Sequence, residues 1–273
     1  MDTRFDLAAG SSEFYVDPVY YDHEFKGRTD DVQWYSKRYV SVGAPVLELA
    51  VGSGRIALKA VRDGATVVGM DLAPAMLQRA EELRERLPKG RQEHLTLLQG
   101  DMRTFRMSET FQLVTCPFNA FMHMYTREDV EACLNTVKAH LAPDGRFILD
   151  ILTPDFDYLM RSPYKKFPGI RFRHPTYRAF YTYSERSAYD PLTQLNQMWF
   201  HYEKCNEAGE GPSEVVIQLS HRYFYTEEIK ALLHYNGFVI EEVYGDFDDE
   251  PLSHDSDSMV MVCRRAETPR SDK

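Results

Sequence analysis

VLELAVGSGR, residues 46–55, runs straight on into IALKAVRDG, residues 56–64. The first five residues are a short apolar run of strand character. Gly52 and Gly54 then interrupt it, and Arg55 opens a helical pattern that closes at Gly64, a residue suited to end a helix. Glycine supplies the dihedrals of a sharp strand-to-helix turn and removes the side chains that would keep a ligand from the backbone. The helix that follows presents unpaired N–H groups at its start. Such a turn at the carboxyl end of a parallel strand is a nucleotide-type site.

The same grammar continues outward. TVVGMD (66–71), HLTLLQGD (94–101), FQLVTC (111–116) and GRFILDIL (145–152) read as strands. PAMLQRAEELRERL (74–87) reads as a helix with Pro74 in its first turn, and Thr126 with Asp129 caps another through about His140. Strands alternating with helices predict an α/β fold with a mostly parallel sheet covered on both faces. Before this core, RTDDVQWYSKRYV places Val32, Tyr35, Ser36 and Tyr39 on one helical face.

After residue 155 the pattern changes. RAFYTYSERSAYD (178–190), QLNQMWFHYEK (194–204) and EVVIQLSHRYFY (214–225) alternate over long spans, with DPLT and NEAGEGPS as turns between them. They predict an antiparallel β insertion. A helix capped by Thr226 and ended at Gly237 follows, then strands at 238–245 and 258–264 around an acidic loop. The expected organisation is an aromatic, helical cap over 1–40, an α/β domain over 41–157 and 226–265, the insertion over 158–225, and a polar tail over 266–273.

Composition narrows the function. The 273 residues carry a net charge of −10, and 43% are hydrophobic. A folded protein is expected, and the acidic balance disfavours nucleic acid as a partner. Cys116, Cys133, Cys205 and Cys263 have neither CxxC nor zinc spacing, so no metal site or disulfide framework is expected. No run approaches the ~18 apolar residues of a membrane helix. These features predict a cytoplasmic protein without a membrane partner.

Three acidic positions refine the glycine turn. Asp71 ends the second strand, where an acid can accept from both ribose hydroxyls. Asp101 ends the third, where an acceptor can take an adenine amine while Met102 packs on the ring. Glu48 lies inside the first strand. Singly, Asp71 reads equally as a helix cap and Asp101 as a turn residue; acids at successive strand ends point to one ligand. Gly52-Ser53-Gly54-Arg55-Ile56-Ala57 also satisfies G-x-G-x-x-G/A, the nicotinamide or flavin fingerprint. Glu48 within the first strand and Asp101 at the third argue against an NAD-dependent oxidoreductase.

With these motifs in this order, the chain resembles the class I S-adenosylmethionine-dependent methyltransferases, of the small-molecule type with a β insertion. ELAVGSGR (48–55) resembles their first motif, with Ala50 where a glycine is usual. VVGMDLAPAML, LLQGDMRTF and FQLVTCPFNAFMHMY resemble the next three. The resemblance implies a Rossmann-like, mostly parallel seven-stranded sheet, with S-adenosylmethionine as cofactor and S-adenosylhomocysteine as product. It implies cofactor-binding roles for Glu48, Ala50, Gly52, Gly54, Arg55, Asp71, Leu72, Met76, Asp101, Met102 and Pro117. CPFN in place of an NPPY-like tetrapeptide argues against methylation of nucleic acid bases. The expected reaction is in-line methyl transfer to N or O of a small molecule, driven by proximity. An NAD(P)-dependent oxidoreductase and a non-catalytic cofactor-binding protein are the alternatives.

His123, just after the fourth strand, is the candidate base, and Asn119 a candidate to orient the acceptor. Tyr15, Tyr20, Tyr21 and Trp34 are candidates for an aromatic lid or, equally, for packed core. Phe118 and Tyr223 are candidates to line the acceptor pocket. Arg173, in a basic cluster with Arg171, His174 and Arg178, is a candidate for an acidic acceptor group or a solvated face. Exposed edges of the insertion make a homodimer an expectation.

Overall fold

The computed structural model describes residues 5–205 and 210–267. Residues 206–209, in the expected turn NEAGEGPS, and 268–273, in the expected polar tail, lie outside the described residues. The chain opens with α1 (Leu7–Gly10), a 3-10 turn (Glu13–Tyr15), α2 (Pro18–Phe25) and α3 (Asp30–Val42). The α/β alternation follows as β1 (Val46–Leu49), α4 (Arg55–Asp63), β2 (Val67–Asp71), α5 (Pro74–Arg84), α6 (Lys89–Gln92), β3 (Leu95–Gln99) and β4 (Phe111–Cys116). A 3-10 turn (Ala120–His123) leads to α7 (Arg127–His140), β5 (Leu141–Leu152) and α8 (Phe156–Leu159). Next come β6 (Phe167–Arg173), β7 (Phe180–Asp190), β8 (Leu195–Lys204) and β9 (Glu214–Arg222). The chain closes with α9 (Thr226–Tyr235), β10 (Phe238–Gly245) and β11 (Ser258–Arg265).

Among the described residues the main sheet has seven strands in the order β10-β11-β5-β4-β1-β2-β3. β11 is antiparallel to both its neighbours; the β1, β2, β3, β4 and β5 pairings are parallel. The expected mostly parallel seven-stranded sheet is therefore present. Strand order reverses beside β1, between β2 and β4, which opens a crevice at the carboxyl ends of those strands. Alternation along β1 sends Leu47 and Leu49 into a core with α7 and α9, and Val46 into a second core with α3 and α4. Helix α3 buries Val32, Tyr35, Ser36 and Tyr39, as its 3.6-residue spacing requires.

The antiparallel insertion is a four-stranded sheet, β6-β7-β8-β9. Three of its strands match the alternating stretches; β6 was not expected. FPGIRFR contains Pro168 and Gly169 and is largely exposed, so its sequence lacks the two-residue period. Helix α9 also differs at its start. Tyr225, not Thr226, occupies the cap position, and Glu228 Oε2 accepts from the Tyr225 N–H at 3.2 Å.

Candidate active site

The glycine turn is built as its residues demand. Ala50, Gly52 and Gly54 all have left-handed backbone, with φ of 54°, 58° and 83°. A Cβ on Gly52 would lie 3.3 Å from Met76 Cε, so Met76 closes over the turn from α5. Asp71 ties the turn to β2: Oδ2 accepts the Gly52 N–H and Oδ1 the Ala73 N–H, both at 2.8 Å. Burial raises the Asp71 pKa, and the backbone N–H bonds oppose that shift. The carboxylate keeps lone pairs for further donors.

Asp101 is already engaged. Arg103 contacts both its oxygens, at 2.7 Å for the closest, and reaches Asp129 Oδ1 at 2.7 Å. This guanidinium holds the Asp101 carboxyl below its usual range. Any adenine amine there shares the carboxylate with Arg103.

A cavity of about 440 Å³ lies over the crevice. The ends of β1, β2, β3 and β4 supply Ala50, Asp71, Asp101 and Pro117 to its wall. Gly52, Leu72, Met76, Met102 and Phe118 line it as well, and Tyr15, Tyr21 and His123 border it. A smaller pocket adjoins it, lined by Glu48, Arg55 and Phe118. Glu48 is 1% exposed and its Oε2 has no hydrogen-bond partner. Burial pushes its carboxyl up to about 8. An unpartnered, buried carboxyl oxygen beside a turn without side chains suits a ligand that brings a hydrogen-bond donor or a cationic group.

At the other end a hydrogen-bonded chain forms. The Tyr15 hydroxyl lies 2.7 Å from His123 Nε2, His123 Nδ1 lies 2.9 Å from Tyr125 Oη, and Tyr125 donates to the Ser220 carbonyl at 3.1 Å. Because Tyr125 spends its proton on Ser220, it accepts from Nδ1–H. Nε2 then accepts from Tyr15. Burial lowers the His123 pKa to about 4, so the ring is neutral at physiological pH. Burial also raises Tyr15 well above its ordinary value.

Comparison with known proteins agrees with this geometry. Residues 46–145 match a family described as "Methyltransferase domain". The chain is 24% identical over 233 residues to the putative methyltransferase YqeM of Bacillus subtilis, covering 82% of this chain and 85% of that one. It is 26% identical over 222 residues to the glycine/sarcosine N-methyltransferase of Aphanothece halophytica, covering 81% and 76%. The solved structure of CalS10 from Micromonospora echinaspora, an amino pentose methyltransferase with bound S-adenosylmethionine, superimposes with a TM-score of 0.66. That match has 25% identity over 90% of this chain and 96% of that one.

The chain is an S-adenosylmethionine-dependent methyltransferase.

The nicotinamide alternative falls with that assignment. In this methyltransferase the crevice gathers twelve of the residues singled out above along the larger cavity, with Glu48 and Arg55 at the smaller pocket. Gly54 shapes the turn without lining either. Tyr20, Trp34, Arg173 and Tyr223 also line neither. Tyr20 donates to Glu24 at 2.9 Å and stacks on His174 in the core of the insertion. Trp34 packs on the α3 side of the sheet, its Nε1 donating to Asp249 at 2.7 Å. Arg173 lies on the β6 edge, and Tyr223 is buried in the main core. Asn119 is not on the wall either; its Oδ1 is buried and unpaired. The cavity wall also holds residues that the sequence reading did not single out. Ser11, Ser12 and Val16 approach the cavity from the N-terminal segment, and Tyr125 anchors His123. Tyr125, like Met70, Gly100, Ala120 and Met124 on the same wall, lay within a recognised motif.

Proposed function

We propose that the protein transfers a methyl group from S-adenosylmethionine to the amine nitrogen of a small molecule. The observation that carries this reading is the contact of buried His123 with the Tyr15 hydroxyl on the wall of the 440 Å³ cavity. Asp71 would hold the ribose hydroxyls, Asp101 and Met102 the adenine, and Glu48 the cofactor's ammonium. Bound there, the cofactor supplies an electrophilic methyl on a sulfonium.

The chain's own groups favour nitrogen as the acceptor atom. An imidazole with a pKa of about 4 is too weak a base to strip an alcohol, whose oxygen must lose a proton as it attacks. A free amine attacks through its lone pair with the proton still on nitrogen. Tyr15 turns its own hydroxyl proton toward His123 Nε2, which leaves the phenolic oxygen as an acceptor for an amine N–H. That contact fixes the nitrogen's orientation, and proximity supplies much of the rate. The names of the Aphanothece and Micromonospora relatives fit the same acceptor class.

Calorimetric titration with S-adenosylmethionine and S-adenosylhomocysteine tests the cofactor. Mass spectrometry of small amines and their matched alcohols then tests the acceptor. Binding of both cofactor forms and methyl gain on amines alone are expected. Folded protein that binds neither form, or transfer to the alcohols, would overturn the reading.

A further inference from the structure

Asp150 sits on β5, 2% exposed, and takes no direct part in the cavity wall. Its Oδ1 accepts the Tyr35 hydroxyl at 2.6 Å and the Phe118 N–H at 2.9 Å. Its Oδ2 accepts the Asn119 N–H at 3.2 Å. Phe118 and Asn119 are consecutive residues at φ of 57° and 63°. Left-handed backbone is unfavourable for Phe118, asparagine tolerates it better, and surroundings that fix the loop are needed to hold two such residues in a row.

We propose that Asp150 is a positioning residue for methyl transfer: anchored by Tyr35, its carboxylate gathers two successive backbone N–H groups and thereby sets Phe118 against the cofactor. The consequence at the site is direct. Phe118 lines both the large cavity and the smaller pocket beside Glu48. The Arg55 guanidinium lies 4.3 Å from its ring centroid, and Phe25 of α2 packs on it at 4.9 Å. The inference rests on the reading of that cavity as the cofactor site.

The donor set explains why the residue is an acid. Three donors converge on one side chain: two amides and a phenol. Only an ionised carboxylate offers acceptors on both oxygens. An asparagine in its place would turn an N–H₂ toward one of the backbone amides, and a protonated acid would turn an O–H. Burial beside Asp31 raises the Asp150 pKa to about 6 against these bonds. The charged and titratable groups facing it are Asp31, Tyr35 and Tyr39 from α3, Arg55 from α4 and Cys116 from β4. As pH falls through about 6 the carboxylate is lost, and with it the grip on the loop.

Asp150→Asn tests this with two readouts that do not require turnover. In the ligand-free variant, amide exchange at Phe118 and Asn119 is expected to accelerate at least tenfold, with core amides of β4 unchanged. Calorimetry with S-adenosylhomocysteine is expected to show affinity at least tenfold weaker. Between pH 7 and 5.5 the fall in affinity is expected to be less steep in the variant than in the wild type, because the contribution of Asp150 is gone. Tyr35→Phe, which keeps the carboxylate, is expected to restore most of the amide protection. Unchanged exchange at both amides together with wild-type affinity would overturn the proposal. Wild-type protein that fails to bind S-adenosylhomocysteine at all would instead count against the cofactor reading, leaving the exchange result to decide the role of Asp150 in the loop.

Discussion

Ala50 holds a left-handed backbone where the family usually has glycine. The strain of about 1–2 kcal/mol exceeds the extra chain entropy of glycine, about 0.5–1 kcal/mol. Ala50→Gly is therefore expected to raise Tm by about 2 °C in a scanning experiment, without weakening cofactor binding. Asp71 braces the turn and, in the proposed function, also accepts from the ribose, so its loss is expected to have two effects. Asp71→Ala orphans the N–H groups of Gly52 and Ala73, at roughly 1–3 kcal/mol, besides removing the ribose acceptor. A lower denaturation midpoint and cofactor affinity down at least tenfold are expected together; unchanged affinity would remove Asp71 from the site. Glu48 makes a third case. Its carboxyl is held at about 8, against 4.5 in an open chain, so the folded protein keeps a proton that the unfolded chain releases between those values. Stability falls as pH rises through that window and levels off above 8. Glu48→Gln abolishes this slope. Its Tm is expected to exceed that of the wild type at pH 8, with the gap closing towards pH 4.5.

Helix α2 is fastened to the glycine turn by one side chain. Asp22 Oδ1 accepts from Ser53 Oγ at 2.6 Å and Oδ2 from Arg79 Nε at 2.8 Å, joining α2, the turn and α5. Tyr21, one residue earlier, borders the cavity, so α2 forms part of its roof. Asp22→Ala is expected to speed dissociation of S-adenosylhomocysteine several-fold, as measured by surface plasmon resonance, with little change in Tm. This fastening was not legible in the sequence, because Ser53 and Asp22 carry no period and meet only in three dimensions. The elements themselves were more legible. Strand-helix alternation over 46–152 and the 3.6-residue face of α3 are imposed by burial, and burial leaves a pattern in the chain. β6 left none, since it is an exposed edge. The aromatic N-terminus misled in part for a different reason. Tyr20 and Tyr21 are adjacent and both buried, yet one packs on the insertion and the other reaches the cavity. Asp150 lay within an apolar strand, and nothing local marks a carboxylate whose donors are Tyr35 and the Phe118–Asn119 backbone.

Three distant parts of the molecule meet in the Tyr15–His123–Tyr125–Ser220 chain. Because His123 stays neutral down to about pH 4, its own ionisation does not gate activity near neutrality. The pH dependence of kcat/KM is expected to follow the acceptor's ammonium, its midpoint moving when amines of different pKa are compared. A fixed inflection near 6.5 for every acceptor would contradict this. Tyr15→Phe is expected to lower kcat about tenfold or more while sparing the affinity for S-adenosylhomocysteine, the outcome required by the proposed contact between the phenol and the acceptor. The same junction bears on how the chain matures. The Gln218 N–H of β9 donates to Glu13 Oε2 at 2.8 Å, and a Cβ on Gly10 would collide with Ser220 Oγ at 1.9 Å. The N-terminal segment thus docks on an edge strand about two hundred residues downstream. During synthesis the sheet from β1 to β5 can form first, as a cofactor-competent core, but the acceptor end stays open until β9 has left the ribosome. A nascent chain stalled before that point lacks the strand on which the segment carrying Ser11, Ser12 and Tyr15 docks.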